Sequence, residues 1–417
     1  MTLDSRLSTL DSLMKIVRII ARLNVGGPAR HVVWLTKELQ NEEFQSVLLA
    51  GTVPDGEEDM SDFAEEHDVK PVYIQEMSRE LSPKDIISLW KVYRRIVSEK
   101  PDIIHTHTAK AGTVGRTAAF LYRWLNWKNF SVVHTFHGHI FHSYYGNLKT
   151  KTFLIIEKLL ARLATDKIIV ITEQQFDEIH RQFGVGRAGQ FEIVPLGIDL
   201  QPFRHSQEKR RILREEIGAA DDEILIGFVG RLTEIKNVPL LLKAAEIYHT
   251  QKNENSPKLK FPIIGDGNTR RALEKESERL GLQGTVKFLG NRNDADVFYA
   301  GLDIVALTSL NEGTPLSLIE AMANEKPVIS TAVGGVVDLL GEFQSENDGF
   351  TICERGVKVP ANSAEDFYKG LIYLAKNETL QKSLAVNGKA FVEAQYSKDR
   401  LVSDIENLYR DLMKNKD

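Results

Sequence analysis

Apolar positions in this chain come in short runs separated by polar, helix-length segments. KIVRIIARL (15–23), SVLLAG (46–51), PVYI (71–74) and DIIHTH (102–107) read as strands. SVVHTFHGH (131–139), KIIVIT (167–172) and EIVP (192–195) continue the series. Runs this short and this rich in β-branched residues suit buried strands. Helical stretches lie between them, among them 29–40 and 83–99. The alternation predicts a parallel sheet with helices on both faces, and such sheets take ligands beyond the carboxyl ends of their strands. The rhythm breaks at PLGIDLQPF (195–203), whose glycine and two prolines suit a linker. It then resumes at ILIGFV (224–229), KFPII (260–264), VKFLG (286–290), IVALT (304–308) and PVIST (327–331), with a short strand at 349–352. Two α/β domains are therefore expected, 1–200 and 201–397. An amphipathic helix closes the chain from 398.

Composition narrows the class. Of 417 residues, 42% are hydrophobic and 27% charged, enough for large cores and too apolar for disorder. A formal net charge of −5 argues against a general nucleic-acid binder. One cysteine, Cys353, excludes an internal disulfide or a cysteine metal cage and fits a reducing, cytoplasmic compartment. The opening MTLDSRLSTLDSLMK is acidic and has no apolar core, so it does not read as a signal peptide. No apolar run approaches the roughly 18 residues of a spanning helix.

The candidate chemistry is densest at 307–335, LTSLNEGTPLSLIEAMANEKPVISTAVGG. A strand end breaks at Asn311-Glu312-Gly313 and a helix follows at once. Thr314 suits the N-cap, and Pro315 the first helical position, where a missing N–H costs nothing. Leu316, Leu318, Ile319, Met322 and Ala323 predict a largely buried helix. Unpaired N–H groups at a helix start attract anions. Glu312 in the loop and Glu320 in the helix cannot ligate phosphate, but can accept from sugar hydroxyls beside it. A second anion signal is GRLTEIKN (230–237), with Arg231 and Lys236 just past a strand. Arginine as a fork and lysine as a point charge suit a diphosphate. Asn24 to Pro28 holds adjacent glycines, Gly26 and Gly27, which permit close backbone approach to a ligand or simply a tight turn. Asp294-Ala295-Asp296 begins a helix, where acids favour the dipole, and reads as capping rather than as a metal site.

EGTPLSLIEAMA followed by PVISTAVGG resembles the E-x7-E signature of the retaining glycosyltransferases of family 4, which have the GT-B fold. That resemblance implies two Rossmann-like parallel-sheet domains facing each other across a cleft. The first would bind the acceptor and the second the nucleotide sugar, with the last helix crossing back to the first. It implies that Glu312 contacts the donor sugar and Glu320 the ribose. Gly313, Thr314, Pro315 and Leu316 would lie along the donor, and Gly26-Gly27 would approach its phosphates. GRL-x-x-x-KN is a further match, and HTFHGH resembles the loop carrying a cleft histidine, best matched to His137. The expected donor is a UDP-sugar, with no cofactor and no essential metal. The expected acceptor is a glycan or lipid-linked hydroxyl in polysaccharide synthesis. A nucleotide-sugar epimerase of the same fold and a non-catalytic nucleotide-sugar binder are the alternatives.

Six of the eleven histidines fall between 105 and 142: His105, His107, His134, His137, His139 and His142. A metal site is one reading, although no HExxH-like spacing supports it. Packed strand ends with one or two cleft residues are the other, with Lys110 nearby. Residues 101–170 hold nine Lys/Arg against three Asp/Glu. Within them RTAAFLYRWLNWK (116–128) mixes aromatics with cations, the composition of a helix resting on anionic lipid. Peripheral contact with the inner face of a membrane is the expectation there, through Arg116, Arg123, Lys128, Trp124 and Trp127. Ordinary packing of Phe120, Leu121 and Trp124 is the other reading.

Overall fold

A computed structural model describes residues 13–24, 26–53, 59–77, 83–126, 129–137, 147–203 and 207–414. The expected His139, His142, Trp127 and Lys128 lie outside them. The chain divides into two compact units, 1–198 with 398–417, and 199–397.

In the first unit seven parallel strands form one sheet. They are β1 (Met14–Ile20), β2 (Phe44–Gly51), β3 (Val72–Ile74), β4 (Ile103–His107), β5 (Ser131–Thr135), β6 (Lys167–Val170) and β7 (Phe191–Ile193). Their spatial order is β3-β2-β1-β4-β5-β6-β7. The period of two sends alternate side chains to opposite faces. Val17, Ile19, Ile104 and Val132 pack with Val92 and Ile96 of the Asp85–Glu99 helix and Ala118 and Tyr122 of the Ala109–Asn126 helix. Ile16, Ile103 and Val133 face Leu35 of the Gly27–Glu38 helix, Leu39 at its C-cap, and Leu401, Ile405 and Leu408 of the Lys398–Lys414 helix. The last helix is amphipathic because it completes this core. Arg400 secures its start by donating to Pro195 O and Leu196 O, both at 2.7 Å.

The helix expected at a lipid surface is corrected in one respect. Arg116 is fully buried, with its guanidinium on Glu157 of the Asn147–Leu163 helix. Arg123 is half-buried and donates to Asp166 Oδ2 (2.7 Å) and Phe130 O (2.9 Å). Neither cation faces solvent freely, whereas Trp124 and Leu125 do. No described helix is long and apolar enough to cross a membrane.

The second unit holds β8 (Glu223–Val229), β9 (Lys258–Ile264), β10 (Val286–Gly290), β11 (Ile304–Leu307), β12 (Val328–Thr331), β13 (Phe343–Asn347), β14 (Phe350–Cys353) and β15 (Val357–Val359). Their order is β10-β9-β8-β11-β12-β15-β14-β13, parallel except at β13 and β14. The central strands are covered on both faces. Ile226, Phe228, Ile304–Leu307 and Val328 are all buried, as continuous apolar runs in a parallel sheet require. Both units thus have the Rossmann-like form that the GT-B resemblance implied.

Candidate active site

An open parallel sheet has a crevice where the strand order reverses, because the loops there leave in opposite directions. In the second unit this point lies between β8 and β11. The loop after β8 runs from Gly230 through a single turn, Glu234–Lys236, into the Val238–Gln251 helix. The loop after β11 runs from Thr308 into the Leu316–Ala323 helix. These loops are stitched together. Leu310 N–H donates to Ile235 O (2.8 Å), and Thr308 Oγ1 to Lys236 O (3.0 Å). Thr331 Oγ1, at the end of β12, donates to Ser309 O (2.6 Å).

The stitching brings Lys236 Nζ onto Glu312 Oε1, although the two residues are 76 apart. Ser309 Oγ donates to the same oxygen at 2.6 Å. An ammonium has three donors, so the pair leaves Lys236 with N–H groups to spare. Arg231 is exposed and makes no ion pair among the described residues. Gly334 and Gly335 lie over the glutamate loop. A Cβ on Gly334 would fall 1.9 Å from Glu312 O, and one on Gly335 2.0 Å from Gly313 O. Only glycine permits that approach.

The helix start is displaced by one residue from the expected cap. Pro315 occupies the N-cap position and Leu316 the first turn, with no side-chain cap. Thr314 Oγ1 is instead buried without a hydrogen-bond partner. A buried hydroxyl with no partner invites one from a ligand. Glu320 lies beside Tyr299, a buried residue that donates to Ser317 O (3.1 Å). Burial first, and the Glu320 carboxylate second, push the Tyr299 hydroxyl well above its ordinary range. Nothing in the sequence pattern marked Tyr299.

Two further runs, Gly265-Asp266-Gly267 and Asp294-Ala295-Asp296, are engaged with neighbouring parts of the unit. A Cβ on Gly265 would lie 2.0 Å from Gly230 O, and one on Gly267 2.1 Å from Leu232 O. The Gly-Asp-Gly turn therefore lets the loop after β9 pack on the Arg231 loop. Asp294 stands at a helix N-cap but does not cap with its side chain; it binds Arg292 at 2.6 Å, while Asp296 pairs with Lys209.

In the first unit the order reverses between β1 and β4. Gly26 caps the Gly27–Glu38 helix after β1. Thr108, just past β4, has φ +66°, a conformation strained for a β-branched residue and typical of functional loops. Around these ends His31, His107 and His137 meet. His107 Nδ1 lies 3.0 Å from His137 Nε2, and the His31 and His137 rings are 4.8 Å apart. His31 was missed by the sequence reading, since a lone histidine inside a helix carries no local signal. His105 lies deeper, between Tyr409 OH (2.6 Å) and Thr135 Oγ1 (2.7 Å). His134 points to the other face, against Thr106 Oγ1 at 2.8 Å. Lys110 is buried on Asp85. His105, His134 and Lys110 are therefore architectural.

Burial drives the His31 and His107 imidazoles well below their usual range, reinforced by neighbouring histidines and by the buried Arg18. Burial alone brings His137 down to about 4. Such rings are neutral near pH 7 and can donate to or accept from a hydroxyl. Their ligand atoms lie within 4.8 Å of one another, so they are also the trio that could share a metal ion among the described residues.

These shifts set a pH dependence. Unfolded histidine takes up its proton near pH 6.5, whereas these rings resist it, so the unfolded chain binds more protons below that point. For His137 the stabilisation is fully present above about 6.5 and lost as pH falls to about 4, at roughly 1.4 kcal/mol per pH unit, and the buried His31 and His107 act in the same direction. Urea unfolding at pH 7 and pH 5 should show a smaller acid loss for His31→Leu than for the wild type. Equal losses would contradict neutral burial of His31.

Comparison with known proteins supplies the context. The description "Glycosyl transferases group 1" matches residues 209–391, and "Glycosyltransferase Family 4" matches 25–202. The chain is 27% identical over 413 residues to the Escherichia coli UDP-Gal:alpha-D-GlcNAc-diphosphoundecaprenol alpha-1,3-galactosyltransferase, covering 97% of this chain and 99% of that one. It is 26% identical to the Staphylococcus aureus capsular polysaccharide biosynthesis glycosyltransferase CapM, over 84% of this chain and 87% of the relative. Anabaena HepE, solved with UDP, superposes with a TM-score of 0.75 at 21% identity, over 95% of this chain and 100% of its own.

Proposed function

The chain belongs to glycosyltransferase family 4, and on that premise we propose that it transfers a hexose from a UDP-sugar to a hydroxyl of a glycan or lipid-linked acceptor, with retention and without a metal. The observation that carries this reading is the Lys236–Glu312 pair held at the switch point beside the exposed Arg231. Fixed cations and a carboxylate side by side are what a sugar diphosphate needs. The galactosyltransferase relative uses UDP-Gal and a diphosphoundecaprenol-linked acceptor, and HepE was solved with UDP, which support donor and pathway. Synthesis of cell-surface polysaccharide at the inner face of the membrane follows from such an acceptor.

In this mechanism Arg231 and the spare N–H groups of Lys236 hold the diphosphate, helped by unpaired backbone N–H groups at the starts of the Val238–Gln251 and Leu316–Ala323 helices. Gly313, Thr314, Pro315 and Leu316 line the donor. Glu312 accepts from the sugar hydroxyls and Glu320 from the ribose. Gly26 and Gly27 are assigned to close approach to the phosphates, and the neutral His137 to a sugar hydroxyl. The acceptor oxygen bonds to the anomeric carbon as the bond to the diphosphate oxygen breaks. The acceptor proton passes to that leaving oxygen. The cations stabilise the charge that develops on the leaving group, a contribution that is large because they are already in place.

The test is a panel of UDP- and GDP-sugars, scored for binding and donor hydrolysis with and without EDTA. UDP-sugars should bind and turn over equally well in chelator, with retained anomeric configuration by NMR. Preference for GDP-sugars, inversion, or loss in EDTA restored by Mn²⁺ would each remove the corresponding part of the proposal.

A further inference from the structure

The Asn147–Leu163 helix shows solvent a face unlike an ordinary surface helix. Its exposed residues from 151 onward are Lys151, Thr152, Ile155, Lys158, Leu159, Arg162 and Leu163, spaced three and four apart as one stripe requires. Three are cations, three are aliphatic and none is acidic. Ile155, Leu159 and Leu163 are 59%, 53% and 56% exposed. The only acid of the helix, Glu157, is turned inward onto Arg116. Lys151, Lys158 and Arg162 make no ion pair among the described residues. The Ala109–Asn126 helix packs alongside and adds exposed Trp124 at 68%.

A water-facing helix has no use for three bare aliphatic side chains interleaved with unpaired cations. A bilayer surface has a use for both: the aliphatics enter the acyl boundary while the cations stay at the headgroups. We infer that this helix docks the protein on an anionic lipid surface, lying in the plane of the membrane. A second copy of the chain is the less suitable occupant, because pairing this stripe with itself would bring three cations against three. A neutral bilayer would leave the cations without a partner. The surface is distinct from the donor site, so it does not depend on the proposed reaction.

Co-sedimentation of the full chain with vesicles of phosphatidylcholine, with and without phosphatidylglycerol, decides the matter. The wild type should bind the anionic vesicles at low salt, bind neutral ones at least tenfold more weakly, and lose affinity as salt rises. Each cation near an anionic surface contributes about fivefold, so the triple variant Lys151→Gln, Lys158→Gln, Arg162→Gln should bind at least tenfold more weakly. The triple variant Ile155→Ser, Leu159→Ser, Leu163→Ser should lose binding at low salt as well. All six positions are exposed, and circular dichroism with the thermal midpoint of the same preparations reports on folding. No binding of wild type to anionic vesicles at low salt overturns the inference. So does unchanged binding in both variants, or a dimer by light scattering that the serine variant abolishes.

Discussion

Replacing Lys236 by alanine should lower sugar transfer by roughly 10²- to 10³-fold, the usual loss when one preorganised donor to a developing oxyanion is removed. The lysine is tied at both ends of its chemistry. Its carbonyl accepts from Thr308 and its ammonium rests on Glu312, which Ser309 also holds. Deleting the side chain leaves those backbone contacts intact, so the thermal midpoint should barely move. Arg231→Ala, on an exposed side chain, should weaken UDP binding by roughly 1.5–3 kcal/mol, the worth of a charge-assisted hydrogen bond. Glu312→Gln separates the roles of the pair. It keeps an acceptor for the sugar and removes the charge that orients Lys236, so its defect should fall between the wild type and Lys236→Ala. Steady-state transfer rates and calorimetry with UDP measure these effects. Lys236→Ala transferring within threefold of the wild type would take the lysine out of the chemistry.

Glu157→Ala should destabilise the first unit by about 3–5 kcal/mol, because it strands a buried guanidinium. Arg116 Nη2 lies 2.6 and 2.7 Å from the two carboxylate oxygens, and both side chains are 0% exposed. Arg116 Nε is also committed, to Gly112 O at 2.9 Å. A loss of that size lowers the melting point of a unit this large by roughly 6–20 °C. The double replacement Arg116→Met with Glu157→Leu should recover most of it, since exchanging a buried ion pair for apolar residues of similar volume is often neutral or even stabilising. Scanning calorimetry of the single and double variants tests both statements. A single variant within 1 kcal/mol of the wild type would mean the charge escapes to water. Because Glu157 orients the helix that bears Ile155 and Leu159, the single variant should also weaken vesicle binding, and the double variant should restore it.

Much of the fold was legible in the sequence because strand and helix are written locally. Runs such as IVAL and VIST, buried on both sides, can only be central parallel strands, and the glycine and prolines of 195–203 mark the break between domains. The residues proposed for a sugar diphosphate could also be picked out, since Arg231, Lys236 and Glu312 each follow a strand. That Lys236 and Glu312 touch was not, because it depends on β8 and β11 being neighbours although β9 and β10 lie between them in sequence. The cap expected at Thr314 falls one residue later, at Pro315, in a stretch whose preceding loop is engaged from outside by Gly335 N–H on Glu312 O, a contact that local sequence does not reveal. His31 carried no local signal; it became a site residue only when β1, β4 and β5 brought the ends bearing His107 and His137 beside its helix. Arg116 and Arg123 misled in the same way. Composition counts charges, but whether a charge meets lipid or a carboxylate depends on what the fold sets opposite it. For Arg116 that was Glu157, 41 residues on, and the free cations lay on the next helix instead. Local periodicity is settled by each residue's own backbone and near neighbours, whereas the partner of a polar group is settled by strand order, which no short window of sequence contains.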